Sequence, residues 1–435
     1  MTSARNRPPR SSGSKTLSLS SPSAVGDGKS CIFAENNSQK KRTRKIVTQI
    51  DRQQATGMTI EEPILPPLPD FEEYIQQGEP DRRQRAENWQ IAIGLQAVDG
   101  LHTSEYLQQT ARQHIEGEIT SKEVSALVNS YYKSQSGRQS SEKERTEEAD
   151  KVSSRISELL AEKTFDFTTA QLASIHRRLF TGLFKFAGRI RDYNIIKNEW
   201  VLNGDTVLYS SADLILDSLE YDISQEKTFS YSGMTAENSI KHLSRFCADL
   251  WQIHPFGEGN TRTTAVFMIK YLRALGFNMV SNEPFAQCSW YFRNALVRAN
   301  YNNLQKGIHA TAEFLEKFFR NLLLNENNLL RNREMHVLWS DNLESQSAKT
   351  ISQSANNEAL LPPKCKNCTL EEVAVLQCIL KQPNITQKEM AAIIGKSERT
   401  IKSITIRLVE QGILSRKNGK RNGFWEIIND QPHNH

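Results

Sequence analysis

One short stretch holds most of the side chains able to do chemistry: Trp251-Gln-Ile-His254-Pro255-Phe256-Gly257-Glu258-Gly259-Asn260-Thr261-Arg262-Thr263-Thr264. Pro255, Gly257 and Gly259 favour a loop, so His254 and Glu258 should not share one helix face as a zinc HxxxE pair would. Asn260 or Thr261 can begin the next helix, whose first amides lack intrahelical partners and whose dipole favours an anion. Gly259 lets backbone approach a ligand closely, and Arg262 in the first turn adds a cation suited to phosphate oxygens. His254 can take a proton, and Glu258 can hold a hard cation such as Mg²⁺. These are the parts of phosphoryl or nucleotidyl transfer, chemistry that rests on positioning and charge stabilisation. The same residues also fit a Gly-rich connection between helices with a solvated histidine and a capping asparagine.

Two amphipathic segments, AENSIKHLSRFCADLWQIH and TRTTAVFMIKYLRALGF, flank the loop and must position it. They belong to a helix-rich block over residues 150–330. One part of that block differs: Tyr193 to Tyr209 is β-rich and carries Asn203-Gly204, a two-residue hairpin signal. A lone hairpin among helices must pack on them, and such an excursion often covers a site.

Upstream, apolar residues at three-to-four spacing predict helices over 86–98, 103–115 and 120–133, grouped as a module over 86–135. Residues 134–149 read as a polar linker or an exposed helix start, with the run Glu142 to Glu148 a solvated face. Residues 1–85 form a basic tail, too poor in apolar side chains to offset its ordering entropy, and a Pro-rich linker. Met58 opens more ordered-looking sequence, so the stretch before it also fits an over-extended start. Residues 331–368 read as a second linker and 369–431 as a separate module. There, Thr386 with Glu389 makes a capping box, Ser397 is a good N-cap, and Ile413 to Ile428 form a hairpin.

A net charge of +5 over 435 residues is too small to indicate a polyanionic partner, so only the placement of charge is informative. No apolar run is long enough to span a bilayer and the N-terminus lacks a secretory signal's apolar core, which predicts a soluble, cytoplasmic protein without membrane partners. Six scattered cysteines form no disulfide framework, and Cys365-Lys-Asn-Cys368 is half a zinc site without a second half.

HPFGEGNTRT resembles the active-site signature of the Fic (Fido) family, HPFx[D/E]GNGRxxR, matching seven of its nine fixed positions. The resemblance covers roughly residues 150–325 and implies a mainly α, Fic-type helical core with a β-hairpin flap. It further implies transfer of AMP from ATP, with Mg²⁺, to a hydroxyl of a protein, the chain itself included. On that resemblance His254 is the general base, Phe256 buries itself beneath the loop and Glu258 is the metal ligand. Gly257, Glu258, Gly259, Asn260, Thr261 and Arg262 surround the nucleotide. The flap, with Ile195, Ile196, Lys197 and Asn198, would register the target by strand addition.

Two positions depart from the signature: Thr261 stands in place of Gly, and Ala265 in place of a second Arg that binds the γ-phosphate. Nucleotide orientation decides what is transferred, so a Fic-type phosphotransferase stays open beside AMP transfer, as does a non-catalytic regulator with a degenerate core. The upstream helices resemble the antitoxin-like module that inhibits some Fic enzymes through a Glu paired with the second Arg. Asp99 is the candidate for that carboxylate, Glu116 a second one. With Ala265 the usual pair cannot form, so the module should repress weakly or through another contact.

The last module resembles a winged helix-turn-helix. Arg399, Lys402 and Arg407 fall on its third helix, and Arg416, Lys417, Lys420 and Arg421 crowd the wing, a distribution suited to DNA. Protein contact is the other use of such a module. A homodimer is compatible with everything above.

Overall fold

The computed structural model describes residues 60–63, 65, 68–77, 79–134, 141–277, 283–339, 367–418 and 423–428. Its helices, in chain order, are α1 Glu72–Gln77, α2 Pro80–Gly94, α3 Glu105–Glu116, α4 Ser121–Ser134, α5 Ser141–Ala161, α6 Thr169–Phe180 and α7 Ile215–Thr228. They continue as α8 Ala236–Ile253, α9 Asn260–Ala274, α10 Glu283–Gln287, α11 Ser289–Ala299 and α12 Glu313–Leu324. After the second linker come α13 Leu370–Lys381, α14 Gln387–Ile394, α15 Glu398–Glu410 and the strands β1 Leu414–Lys417 and β2 Phe424–Ile427. The protein is mainly α, as its periodicity predicts, and among the described residues no helix is long and apolar enough to cross a membrane.

The two helices around the signature differ in kind. α8 is amphipathic, starts at Thr235, whose side chain accepts from Asn238 N, and ends at His254. α9 is buried on every side from Asn260 to Leu272, the mark of a central core helix. Its one lysine, Lys270, is tolerated because Nζ donates to the carbonyls of Leu159 at 2.7 Å and Glu162 at 2.9 Å.

α2 packs along α5 and crosses α10 closely at Gly94, where a Cβ would stand 2.0 Å from the Ala286 carbonyl oxygen. Beyond Gly94 the helix tightens into a 3₁₀ turn, Leu95–Asp99, closed by Gly100 at φ 61°. α11 packs against that turn. The charged stretch read as linker or helix start is the first half of α5 from Ser141 onward; residues 135–140 lie outside the described part. It is not wholly a solvated face: Arg145 donates to the carbonyls of Asp99 and Gly100.

The flap differs from a regular hairpin. The chain reverses at Asn203-Gly204, φ 55° and 85°, as a type I′ turn requires. Yet no strand ladder forms, and Trp200–Leu202 is a 3₁₀ turn. Glu199 N donates to Asp205 O at 3.0 Å, but the next register position is a side-chain substitute, Lys197 N to Thr206 Oγ1 at 3.2 Å. Val201 and Leu202 are buried, and Val337 N binds Val201 O at 2.9 Å, so packing onto the core replaces cross-strand pairing. That last contact belongs to residues assigned to the second linker, where Met335 and His336 are also buried.

The C-terminal helices and the antiparallel pair β1–β2, in register Leu414↔Ile427, form the winged module. Both Thr369/Glu372 and Thr386/Glu389 are full capping boxes. The module rests on the core through α13 against α8 and α12, with Ala236 N donating to Cys368 O at 2.7 Å.

Candidate active site

The signature loop is built by its own side chains. His254, at φ 51°, stops α8 in the left-handed region. Asn260 spends both ends of its amide on Phe256: Nδ2 donates to Phe256 O at 2.7 Å and Oδ1 accepts from Phe256 N at 2.9 Å. Its side chain therefore closes the loop rather than facing a ligand. Gly259, at φ 77°, passes so near Phe180 that a Cβ would meet the ring at 2.4 Å. Gly257 runs beside the Tyr193 hydroxyl. Thr261, where the signature has Gly, accepts the Trp251 indole N–H at 3.0 Å.

His176, on α6, lies under this loop, and nothing in its own sequence context marks it. Its Nδ1 accepts from Gly188 N at 2.8 Å, so Nε2 is the donor to Glu258 O at 2.9 Å. Its ring stacks on Phe256 with centroids 3.8 Å apart. Burial, and then the charge of Arg262, press its pKa down to about 4 against the backbone bond that opposes them, keeping the ring neutral.

His254 is buried, its Nδ1 3.2 Å from Trp251 O. A ring nitrogen facing a carbonyl is the donor, which leaves the lone pair on Nε2. Burial, then the charge of Lys197, hold the imidazole well below its ordinary range. Tyr209 packs on the ring at 4.3 Å. Arg191, buried, secures the loop from behind: N donates to Pro255 O at 2.9 Å, Nε to His254 O at 2.8 Å and Nη1 to Tyr193 O at 2.7 Å.

Glu258 and Arg262 line a cavity of about 480 Å³ together with Asp99, Glu148, Lys197, Glu199, Trp200 and Arg293 among others, a size suited to a small-molecule ligand. Lys197 Nζ reaches from the flap to Glu258 Oε2 at 2.8 Å, while Glu258 Oε1 accepts Gly259 N at 3.1 Å. Asn198 also borders the cavity, Ile195 is half-buried, and Ile196 is 79% exposed at the flap's outer edge.

Arg262 is fully buried and surrounded by acceptors from the upstream helices. Gln96 Oε1 lies at 3.0 Å from Nη1 and Glu148 Oε1 at 2.6 Å from Nη2. Asp99 Oδ2 stands 2.8 Å from Nε, a charge contact in which neither atom makes a directed hydrogen bond. Glu148, Gln96, Glu199 and Arg293 carry no local signal that could single them out, because their partners lie far away in the chain. Glu116, the second inhibitory candidate, is on the surface beside Arg82 at 3.5 Å and takes no part.

On the winged module, Arg399 and Lys402 are exposed on α15. Arg407 is tied to buried Glu372 at 2.5 Å and Lys417 to Glu426 at 3.1 Å, both remaining about half exposed to solvent. Arg416 covers Trp425, whose indole donates to Ile385 O at 3.1 Å as a core residue does. Lys420 and Arg421 lie outside the described residues.

Comparison with known proteins agrees with this anatomy. The Fic/DOC family profile matches residues 166–272, and a winged helix-turn-helix DNA-binding profile matches residues 372–415. Protein adenylyltransferase VbhT of Bartonella schoenbuchensis is 24% identical over 113 residues, 26% of this chain and 22% of that protein, so the match spans about a fifth of the relative's length. A Fic family protein from Desulfovibrio desulfuricans G20 aligns over 92% of this chain and 98% of its own with 13% identity, at a TM-score of 0.33 too loose to bear on the argument. Residues 166–272 thus match the Fic/DOC family, and residues 372–415 match a winged helix-turn-helix DNA-binding domain.

Proposed function

We propose that this chain transfers AMP from ATP to a Ser, Thr or Tyr hydroxyl of a protein, and that its winged helix holds DNA. The observation that carries the reading is one loop presenting Glu258 and Arg262 to a ligand-sized cavity, while its histidine, buried behind the cavity's lining, is kept neutral in the base-competent tautomer. The relative named as an adenylyltransferase supports AMP over other groups.

In this reaction the target oxygen bonds to the α-phosphorus while His254 Nε2 accepts its proton. The bond from that phosphorus to the oxygen bridging to the β-phosphate breaks, and pyrophosphate leaves. Arg262, whose buried Nε–H has no directed acceptor, fits the charge on the leaving group. Among the described residues there is no cluster of three acidic, His or Cys ligands, so a preformed cage is not on offer. A lone, half-exposed carboxylate such as Glu258 does suit Mg²⁺, which is held by one or two carboxylates plus phosphates and waters. Bound there, Mg²⁺ would neutralise phosphate charge. Lys197 must yield Glu258 to it.

A second reading has its own observation: Arg262 is already met by Gln96, Asp99 and Glu148, which suits a non-catalytic regulator acting through its winged helix. Wild type and His254→Ala are incubated in host lysate with ATP labelled at the α-phosphate or, separately, the γ-phosphate. AMP transfer puts α-label on protein hydroxyls in wild type alone. Transfer of γ-label alone makes the chain a phosphotransferase, and no label in either leaves the regulator.

A further inference from the structure

Resting on the nucleotide reading above, we infer that Arg293, far from the signature, is the second guanidinium of the phosphate seat. Residue 265, about one helical turn past Arg262, is a fully buried alanine, so of the arginines on α9 only Arg262 reaches the cavity. Arg293 comes from α11 and lines the same cavity.

The two guanidiniums are brought together by one carboxylate. Arg293 Nη1 lies 2.9 Å from Asp99 Oδ1, and Arg262 Nε 2.8 Å from Asp99 Oδ2. An anion of carboxylate size is therefore already bridging two arginines inside a ligand-sized cavity. A phosphate oxygen pair has the geometry and charge to replace it, since guanidinium forks bind both groups alike. Two buried donors at this cavity, Arg262 Nε and Trp290 Nε1, have no hydrogen-bond partner among the described residues. Arg293 stands above the Trp290 ring at 5.9 Å. Nη2 is anchored by Glu199 at 3.1 Å, while Nη1 divides its donors between Asp99 Oδ1 and Val98 O, each at 2.9 Å and both on the 3₁₀ turn. The 3₁₀ turn, with Gln96 and Asp99, and Glu148 of α5 must withdraw for the seat to open.

The test measures dissociation constants for Mg·ATP, inorganic pyrophosphate and adenosine by calorimetry. The full-length variants are Asp99→Asn, Asp99→Asn with Arg262→Gln, and Asp99→Asn with Arg293→Gln. Each glutamine should weaken Mg·ATP and pyrophosphate about 10- to 100-fold and leave adenosine within about twofold. Because Arg293 also balances buried Glu199, a fourth chain adds Glu199→Gln to the Arg293→Gln pair and should show the same selective loss. Equal loss for adenosine and ATP, or full retention of pyrophosphate affinity, makes Arg293 a structural anchor only and overturns the inference. If adenosine and ATP both fail to bind the Asp99→Asn chain while pyrophosphate does, the nucleotide reading fails and the two-arginine anion seat stands.

Discussion

Asp99 Oδ2 lies 2.8 Å from the Nε of Arg262, so the arginine of the signature loop is paired with a carboxylate borne by the upstream helical segment. The contact spans 163 positions of chain and joins the 3₁₀ turn after α2 to the first turn of α9. Residue 265 being alanine, the carboxylate meets the signature arginine itself. Glu148, from the charged start of α5, completes the clamp.

Removing the clamp should free the seat. Asp99→Asn and Glu148→Gln are expected to raise α-label transfer several-fold each. Asp99→Asn also leaves buried Arg262 and partly buried Arg293 less well compensated, at a cost of about 3 kcal/mol in unfolding free energy. Labelling rates and denaturant titrations check both, and unchanged labelling in the double variant would remove any inhibitory part for Asp99.

The pH dependence of transfer should reflect a histidine that resists protonation. Burial and the charge of Lys197 lower the His254 pKa, so the base stays competent as pH falls through the ordinary histidine range near 6.5. The acidic limb of the rate profile should therefore lie below 6.5. His254→Ala should cost about 10²- to 10⁴-fold in rate with Mg·ATP affinity nearly unchanged. An acidic limb centred above 6.5 counts against this assignment.

His176 gives a stability signature of its own. Its folded-state pKa, about 4, is below the 6.5 of the unfolded chain, so the unfolded state binds the proton first. The associated stability is present above pH 6.5 and is lost as pH falls from there toward about 4. Urea titrations across that window should show a steeper loss in wild type than in His176→Gln. Parallel curves would mean the ring is not held neutral.

For the winged module the two exposed cations and the tethered one should separate. Arg399→Glu and Lys402→Glu are each expected to weaken DNA binding and reduce the salt slope by about 1. Arg407→Ala should mainly lower the melting temperature, because it strands buried Glu372. Gel-shift titrations at several salt concentrations and thermal melts distinguish them, and unaltered DNA affinity in the charge-reversed pair would move the interface elsewhere.

Local chemistry made much of this molecule readable before any fold was known. Pro255, Gly257 and Gly259 demand a bend, Thr386 with Glu389 demands a helix start, and Asn203-Gly204 demands a tight reversal, because each acts on backbone torsions within a few residues. The bend of the signature loop was legible for that reason, whereas the burial of Phe256 was implied only by the family resemblance. Of what sits opposite Arg262, Asp99 alone was singled out, and by family resemblance rather than by local chemistry. Gln96 and Glu148 come from segments separated from it by more than a hundred positions, and nothing in the periodicity of a helix says which distant side chain its charged face will meet. The same holds for Arg293 with Glu199, for His176 beneath the loop, and for the flap, whose local strand propensity yields to burial of Val201 and Leu202. Torsional preferences and capping are short-range and travel with the sequence, whereas pairing of buried charges is chosen by packing, which exists only once the chain has folded.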